Sequence, residues 1–129
     1  MKYLLDTHTL LWIVTDDKQL SRKVKKLFLD EENEIFFSIT SLWEVAIKVS
    51  LGRLELGQPL SDFCSRHIIG NKIRLLDIKL EHLEVLETLE FYHRDPFDRL
   101  IVCQSMVKKF LYLALTKCFR NILSPESGS

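Results

Sequence analysis

The sequence predicts an α/β fold, a parallel sheet covered on both faces by helices, and three observations carry that prediction. Four apolar runs, "KYLLD", "EIFFS", "KIRLLDI" and "LYLAL", are short and continuous rather than alternating, as strands buried on both faces are. Segments with helical periodicity separate them, which is the pattern of strand–helix–strand units. The first run also ends on an acid, at the edge where buried strands of such sheets meet their ligands.

Residues 2–6 form the first strand, and "THTLLWIVTDD" follows as a short helix offering Leu10, Leu11 and Val14 to a core. Over 20–32, Ser21 is a candidate N-cap, with Val24, Leu27 and Phe28 at helical spacing. Residues 34–38 are the second strand. The stretch 41–54 reads as a helix with Leu42, Val45, Ala46 and Val49 on one face, ending near Gly52, and Ser41 with Glu44 matches a capping box. "PLSDFCSRHII" is a further short helix, and 72–78 the third strand. Next comes a helix in which Leu80, Leu83, Leu86 and Leu89 recur every third residue. Residues 95–110 form a helix opened by Pro96, and 111–115 the fourth strand. No repeat, linker or low-complexity stretch interrupts this order. The chain therefore reads as one domain over 1–123, with 124–129, "SPESGS", a polar tail whose end resembles a cloning scar.

Bulk composition narrows the class. The chain has 129 residues, 47% hydrophobic and 28% charged, enough to bury roughly two-thirds of its unfolded surface without staples. Lys+Arg and Asp+Glu balance at 18 each, so nucleic-acid binding has to rest on a local patch rather than on net charge. Cys64, Cys103 and Cys118 are odd in number and lack zinc spacing, which reads as free thiols in a reducing, cytoplasmic setting. No apolar stretch approaches the ~18 residues of a membrane helix, and no membrane association is expected.

Four acids stand out, each with a plain structural explanation beside a chemical one. Asp6 is either a turn or N-cap acid, or a carboxylate at the ligand edge of the sheet. Glu44 either closes the capping box or points across a cleft. Asp95 before Pro96 is a standard helix start. Asp98, one turn in, gains from the positive helix end, yet a single acid suffices for capping. Gathered carboxylates repel unless a cation intervenes, and hard oxygen donors suit Mg2+ or Mn2+. Such an ion can activate water against a phosphodiester.

The strings "LLDTHTLLW", "SITSLWEVAIKVSLGRL" and "HRDPFDRLIVCQSM" resemble, in order and spacing, the PIN-domain ribonucleases, and within them the toxins of VapBC-type toxin–antitoxin pairs. The resemblance spans roughly residues 2 to 120. It implies a three-layer α/β/α domain with a short, mostly parallel sheet, acting as an endoribonuclease with Mg2+ or Mn2+. Asp6, Glu44 and Asp98 match the family's acids, as catalytic residues and metal ligands. Asp95 matches a supporting aspartate, and Thr7 and Ser41 are hydroxyl partners. The partners implied are an RNA substrate and a cognate antitoxin protein, in a homodimer or a hetero-oligomer with the antitoxin. The leucine-rich helix and the first helices are the surfaces offered for those contacts. One departure is plain: where the family carries an acid in "T-x-D", this chain has Thr116, Lys117 and Cys118.

Two other functions stay open at this stage. One is a degenerate PIN-like domain that binds RNA or a protein without cutting. The other is a phosphoaspartyl enzyme using Asp6, disfavoured because His8 stands where a second aspartate is wanted. His82 is expected on the surface, and Trp12 and Trp43 in the core or an interface. Lys48, Arg53, Lys72, Arg94 and Arg99 are candidates for a phosphate-guiding rim.

Overall fold

Strand β1 (Lys2–Leu5) occupies the middle of a four-stranded sheet ordered β3-β2-β1-β4. Its partners are β2 (Glu34–Ser38) on one side and β4 (Leu111–Leu113) on the other, and β3 (Arg74–Leu76) lies outside β2. All these pairings are parallel, with Leu4 opposite both Phe36 and Tyr112. This is a computed structural model, and it describes residues 1–90, 95–108 and 111–113.

The connections are helical: α1 (Thr7–Thr15), α2 (Arg22–Leu29), α3 (Ile39–Ser50), α4 (Leu60–Phe63) running into a π-helical stretch over Cys64–Ile69, α5 (Leu80–Thr88) and α6 (Pro96–Lys108). Strand pleating sends successive side chains to opposite faces. Tyr3, Leu5, Ile35 and Phe37 accordingly pack with Leu10 of α1, Leu42 of α3 and Phe63 of α4 in one cluster. Leu4 and Phe36 face the other way and meet Leu76 and Ile101 of α6. The chain is thus a three-layer α/β/α domain with a parallel sheet, as expected.

The order places a topological switch at β1, because the chain leaves it towards β2 and returns on its far side as β4. Ligands of open parallel sheets sit at the carboxyl ends of the strands at such a switch. Here α1 begins directly after β1 and α3 directly after β2, so both helix N-termini open onto that edge.

Several local expectations are corrected. Helix α3 starts at Ile39, not at residue 41, because the Ser38 hydroxyl accepts from the Thr40 backbone N–H at 2.9 Å and supplies the cap. Glu44 therefore lies in the second turn, and the Ser41–Glu44 capping box is not formed. His82 is fully buried, its Nδ1 accepting from the Lys79 backbone N–H at 3.0 Å. Leu80 and Leu83 of the leucine-rich helix, a surface offered for partner contacts, are 74% and 44% exposed. Trp43 is 55% exposed and is no core residue. Ser21 caps α2 as expected, accepting from the Val24 N–H at 3.1 Å. Cys64 and Cys103 are free thiols. Among the described residues no helix is long and apolar enough to cross a membrane.

Candidate functional site

Asp6 is the residue at which β1 becomes α1. Its backbone is extended (φ −70°, ψ 154°), yet its side chain makes no capping hydrogen bond to α1. The plain N-cap explanation is thereby removed, and a carboxylate 1% exposed remains at the carboxyl edge of the central strand.

Glu44 arrives from α3. The Thr7 hydroxyl donates to its Oε1 at 2.9 Å, which ties the first turn of α1 to the second turn of α3. Its Oε2 lies 3.1 Å from the Lys48 ammonium, one helical turn on. Glutamate preceding lysine by four residues is the favourable order for such a pair. Both oxygens of a buried carboxylate are thus engaged, one by a hydroxyl and one by a cation.

Asp95 and Asp98 come from the start of α6. The Asp95 Oδ1 accepts from the backbone N–H groups of Phe97 (2.8 Å) and Asp98 (3.2 Å), so Asp95 is the N-cap and Pro96 the first helical residue. Replacing Asp95 by alanine is expected to cost about 1 kcal/mol of stability, read from the urea midpoint. A loss below a few tenths of a kcal/mol would show that the cap is dispensable.

With capping done by Asp95, the Asp98 carboxyl is not needed for that role, and it is found in an anionic neighbourhood. Burial first, then the charges of Asp95, Asp6 and Glu44, push its pKa up to about 7, and Lys48 opposes them. A carboxyl responds this way when its ionised form is desolvated and faces like charges. Asp6, Glu44 and Asp98 therefore lie within electrostatic reach of one another, although 38 and 54 residues separate them in sequence.

Thr7 is joined to the acids by its bond to Glu44. Ser41 is not: its hydroxyl is fully buried and makes no hydrogen bond among the described residues. His8 Nδ1 lies 3.9 Å from Asp6 Oδ2, an electrostatic contact too long for a hydrogen bond. Lys48 is at the acids, where the sequence suggested only a rim. Arg99 is buried and donates to the carbonyls of Glu90 (3.0 Å) and Leu89 (3.1 Å), just beyond the end of α5. Lys72 precedes β3 at the opposite, amino edge of the sheet. Arg94, Thr116, Lys117 and Cys118 lie outside the described residues. Beside the acids, Trp43 meets Phe97 edge-to-face, ring centroids 4.9 Å apart, closing the contact between α3 and α6.

The donor set is of one chemical kind, hard carboxylate oxygens with excess negative charge, and in that respect it fits a small divalent cation. Among the described residues no three His, Cys, Asp or Glu side chains stand at the separations of a completed metal cage, and Lys48 occupies one oxygen of Glu44. Two grooves, each about 510 Å³, lie elsewhere. One is lined by Asn33, Glu34, Lys72 and Arg74 at the amino edge, and the other by Arg22, Lys25, Lys26 and Leu29 on α2. Neither contains any of the four acids.

Comparison with known proteins bears on the family and the fold. The family model for the PIN domain matches residues 3–114. Among solved structures, VapBC2 from Rickettsia felis bound to a DNA fragment from their promoter is similar, with a TM-score of 0.68 over 95% of this chain and 93% of that chain. Identity is 15%, so this likeness speaks to the fold. No curated protein matches the sequence. With the family model covering nearly all the described residues and the acids gathered at the switch point of the sheet, the chain belongs to the PIN domain family.

Proposed function

We propose that this protein is a metal-dependent endoribonuclease, the toxin of a toxin–antitoxin pair, held inactive by a cognate antitoxin protein. The observation that carries the reading is the convergence of Asp6, Glu44 and Asp98 on one sheet edge, with the Asp98 carboxyl pushed up to about 7 by its neighbours. Capping does not account for this convergence: Asp95 caps α6, Ser38 caps α3, and the Asp6 side chain makes no capping bond to α1.

In this reading Asp6, Glu44 and Asp98 hold Mg2+ or Mn2+. Such an ion supplies Lewis-acid activation of a water and neutralises charge on the phosphodiester. Thr7 orients Glu44 through its 2.9 Å bond, and Asp95 fixes the first turn of α6 so that Asp98 is presented at a set position. No side chain has to act as a covalent nucleophile. The toxin assignment rests on the resemblance of "DTHTLLW" and "HRDPFDRL" to VapC-type chains and on the fold shared with a VapBC complex. A partner that covers the carboxyl edge of the sheet would shut off the acids.

The test is cleavage of a mixed tRNA and rRNA pool by purified protein in Mn2+, in Mg2+ and in EDTA. Cutting is expected with either ion and none in EDTA, with a loss of more than about a hundredfold in Asp6→Asn, since disturbing even the partners of metal ligands costs 10–100-fold. Metal binding without cutting would instead favour a PIN-like domain that binds RNA or a protein, a reading to which the missing acid at Lys117 lends itself.

A further inference from the structure

The Lys48–Glu44 pair is unusual for its place. Helical Glu–Lys pairs are ordinarily solvated and weak, but here the carboxylate is buried among other acids while the ammonium stem is about one-third exposed, 36% against 7% for Glu44. Among the described residues, Lys48 is a cation acting on Asp98 against the charges of Asp95, Asp6 and Glu44. It therefore balances the cluster as well as its own partner. Glu44 Oε1 is engaged by Thr7 within the protein interior, whereas Oε2 is engaged by a group on a flexible stem that reaches solvent. One oxygen is thus fixed by the fold, and the other carries a ligand that can leave.

We propose that Lys48 is an exchangeable counter-ion: its ammonium occupies Glu44 Oε2, keeps the buried carboxylates assembled, and yields that oxygen to the divalent cation. This rests on the reading of the acids as a metal site. It makes loading a cation exchange, and the strength of the ion pair sets the metal concentration at which the site fills. A lysine that merely oriented Glu44 for the metal would have the opposite effect, because its removal would loosen a ligand. The sign of one change in affinity separates the two roles.

The experiment is Mn2+ titration of the intact protein by calorimetry and by electron paramagnetic resonance, for wild type, Lys48→Met and Lys48→Arg. Lys48→Met is expected to bind Mn2+ about fivefold more tightly, the equivalent of an ion pair worth ~1 kcal/mol, and Lys48→Arg no more tightly than wild type. The metal-free Lys48→Met protein is expected to melt lower than wild type and to gain more from saturating Mn2+. Unchanged or weaker binding in Lys48→Met overturns the exchange and makes Lys48 a positioning residue for Glu44. If the methionine variant does not fold, Lys48→Gln is judged by the same criterion. Failure of the wild type to bind Mn2+ at all is a different result, which removes the metal site itself.

Discussion

Replacing Asp98 by asparagine is expected to abolish RNA cleavage and, at pH 8 in EDTA, to raise the melting temperature rather than lower it. The two effects share one cause. In the unfolded chain this carboxyl ionises near 3.8, whereas burial and then Asp95, Asp6 and Glu44 push it up to about 7 in the fold. The folded protein therefore holds a proton that the unfolded chain releases. That contribution to stability is complete below about 4 and is lost as the pH rises through about 7. At pH 8 the native state carries an ionised carboxylate that its surroundings oppose. Asparagine has the shape of the acid without the charge. Because solvent reaches part of the side chain, the gain is well short of the full shift, about 1–2 kcal/mol, or roughly 3–8 °C for a chain of this length. At pH 5 the difference in melting temperature should shrink by roughly half, and it should approach zero only below about 4, where the folded and unfolded chains both hold the proton. A variant that melts several degrees lower at both pH values would make Asp98 a structural residue and detach it from the acidic site.

Divalent metal should reverse the ranking. Saturating Mn2+ is expected to stabilise the wild type by mass action and the asparagine variant much less, because a ligand and its charge are gone. A site that is destabilising alone and stabilising when loaded is typical of local conflicts retained for function.

The sheet was legible because parallel strands leave continuous apolar runs, and "KYLLD" and "EIFFS" became β1 and β2 nearly to the residue. Helix starts were less so. Both Ser38 and Ser41 are competent caps by residue type, and the helix uses Ser38. The leucines of α5 do not share one face, for a geometric reason. A step of three residues falls about 60° short of a full turn, so Leu80 to Leu89 wind around the helix, and the interior receives His82 instead. Asp6, Glu44 and Asp98 could be named one by one, since each stands near a strand or helix end. Their mutual approach followed only from the family resemblance, because it depends on strand order, which local sequence does not show. Lys48 sat in view as the i+4 partner of Glu44, but nothing local said that Glu44 would be buried and its partner would therefore matter.

Gln104 is expected to be the costliest single polar residue to lose, and the reason is how much of the site it assembles. It is fully buried on α6. Its Oε1 accepts from the hydroxyls of Ser38 (2.5 Å) and Thr40 (3.3 Å), and its Nε2 donates to the Asp77 carbonyl at 3.2 Å. One side chain thus ties α6, which presents Asp98, to the end of β2 and the start of α3, which presents Glu44, and to the chain leaving β3. Substitution by leucine keeps much of the volume but strands two hydroxyls and a carbonyl away from water, at ~1–3 kcal/mol for each group that finds no new partner. A total near 3–5 kcal/mol is expected, a third or more of the stability of an ordinary domain. It should be visible as a lower urea midpoint with an unchanged slope. The discriminating measurement is a double-mutant cycle with Ser38→Ala. If the network works as a unit, the second substitution costs much less in the Gln104→Leu background, with a coupling above about 1 kcal/mol. Additive losses would mean that the three groups are satisfied independently. The relative placement of Glu44 and Asp98 would then have to come from apolar packing between α3 and α6, with the Trp43–Phe97 contact as its nearest visible part.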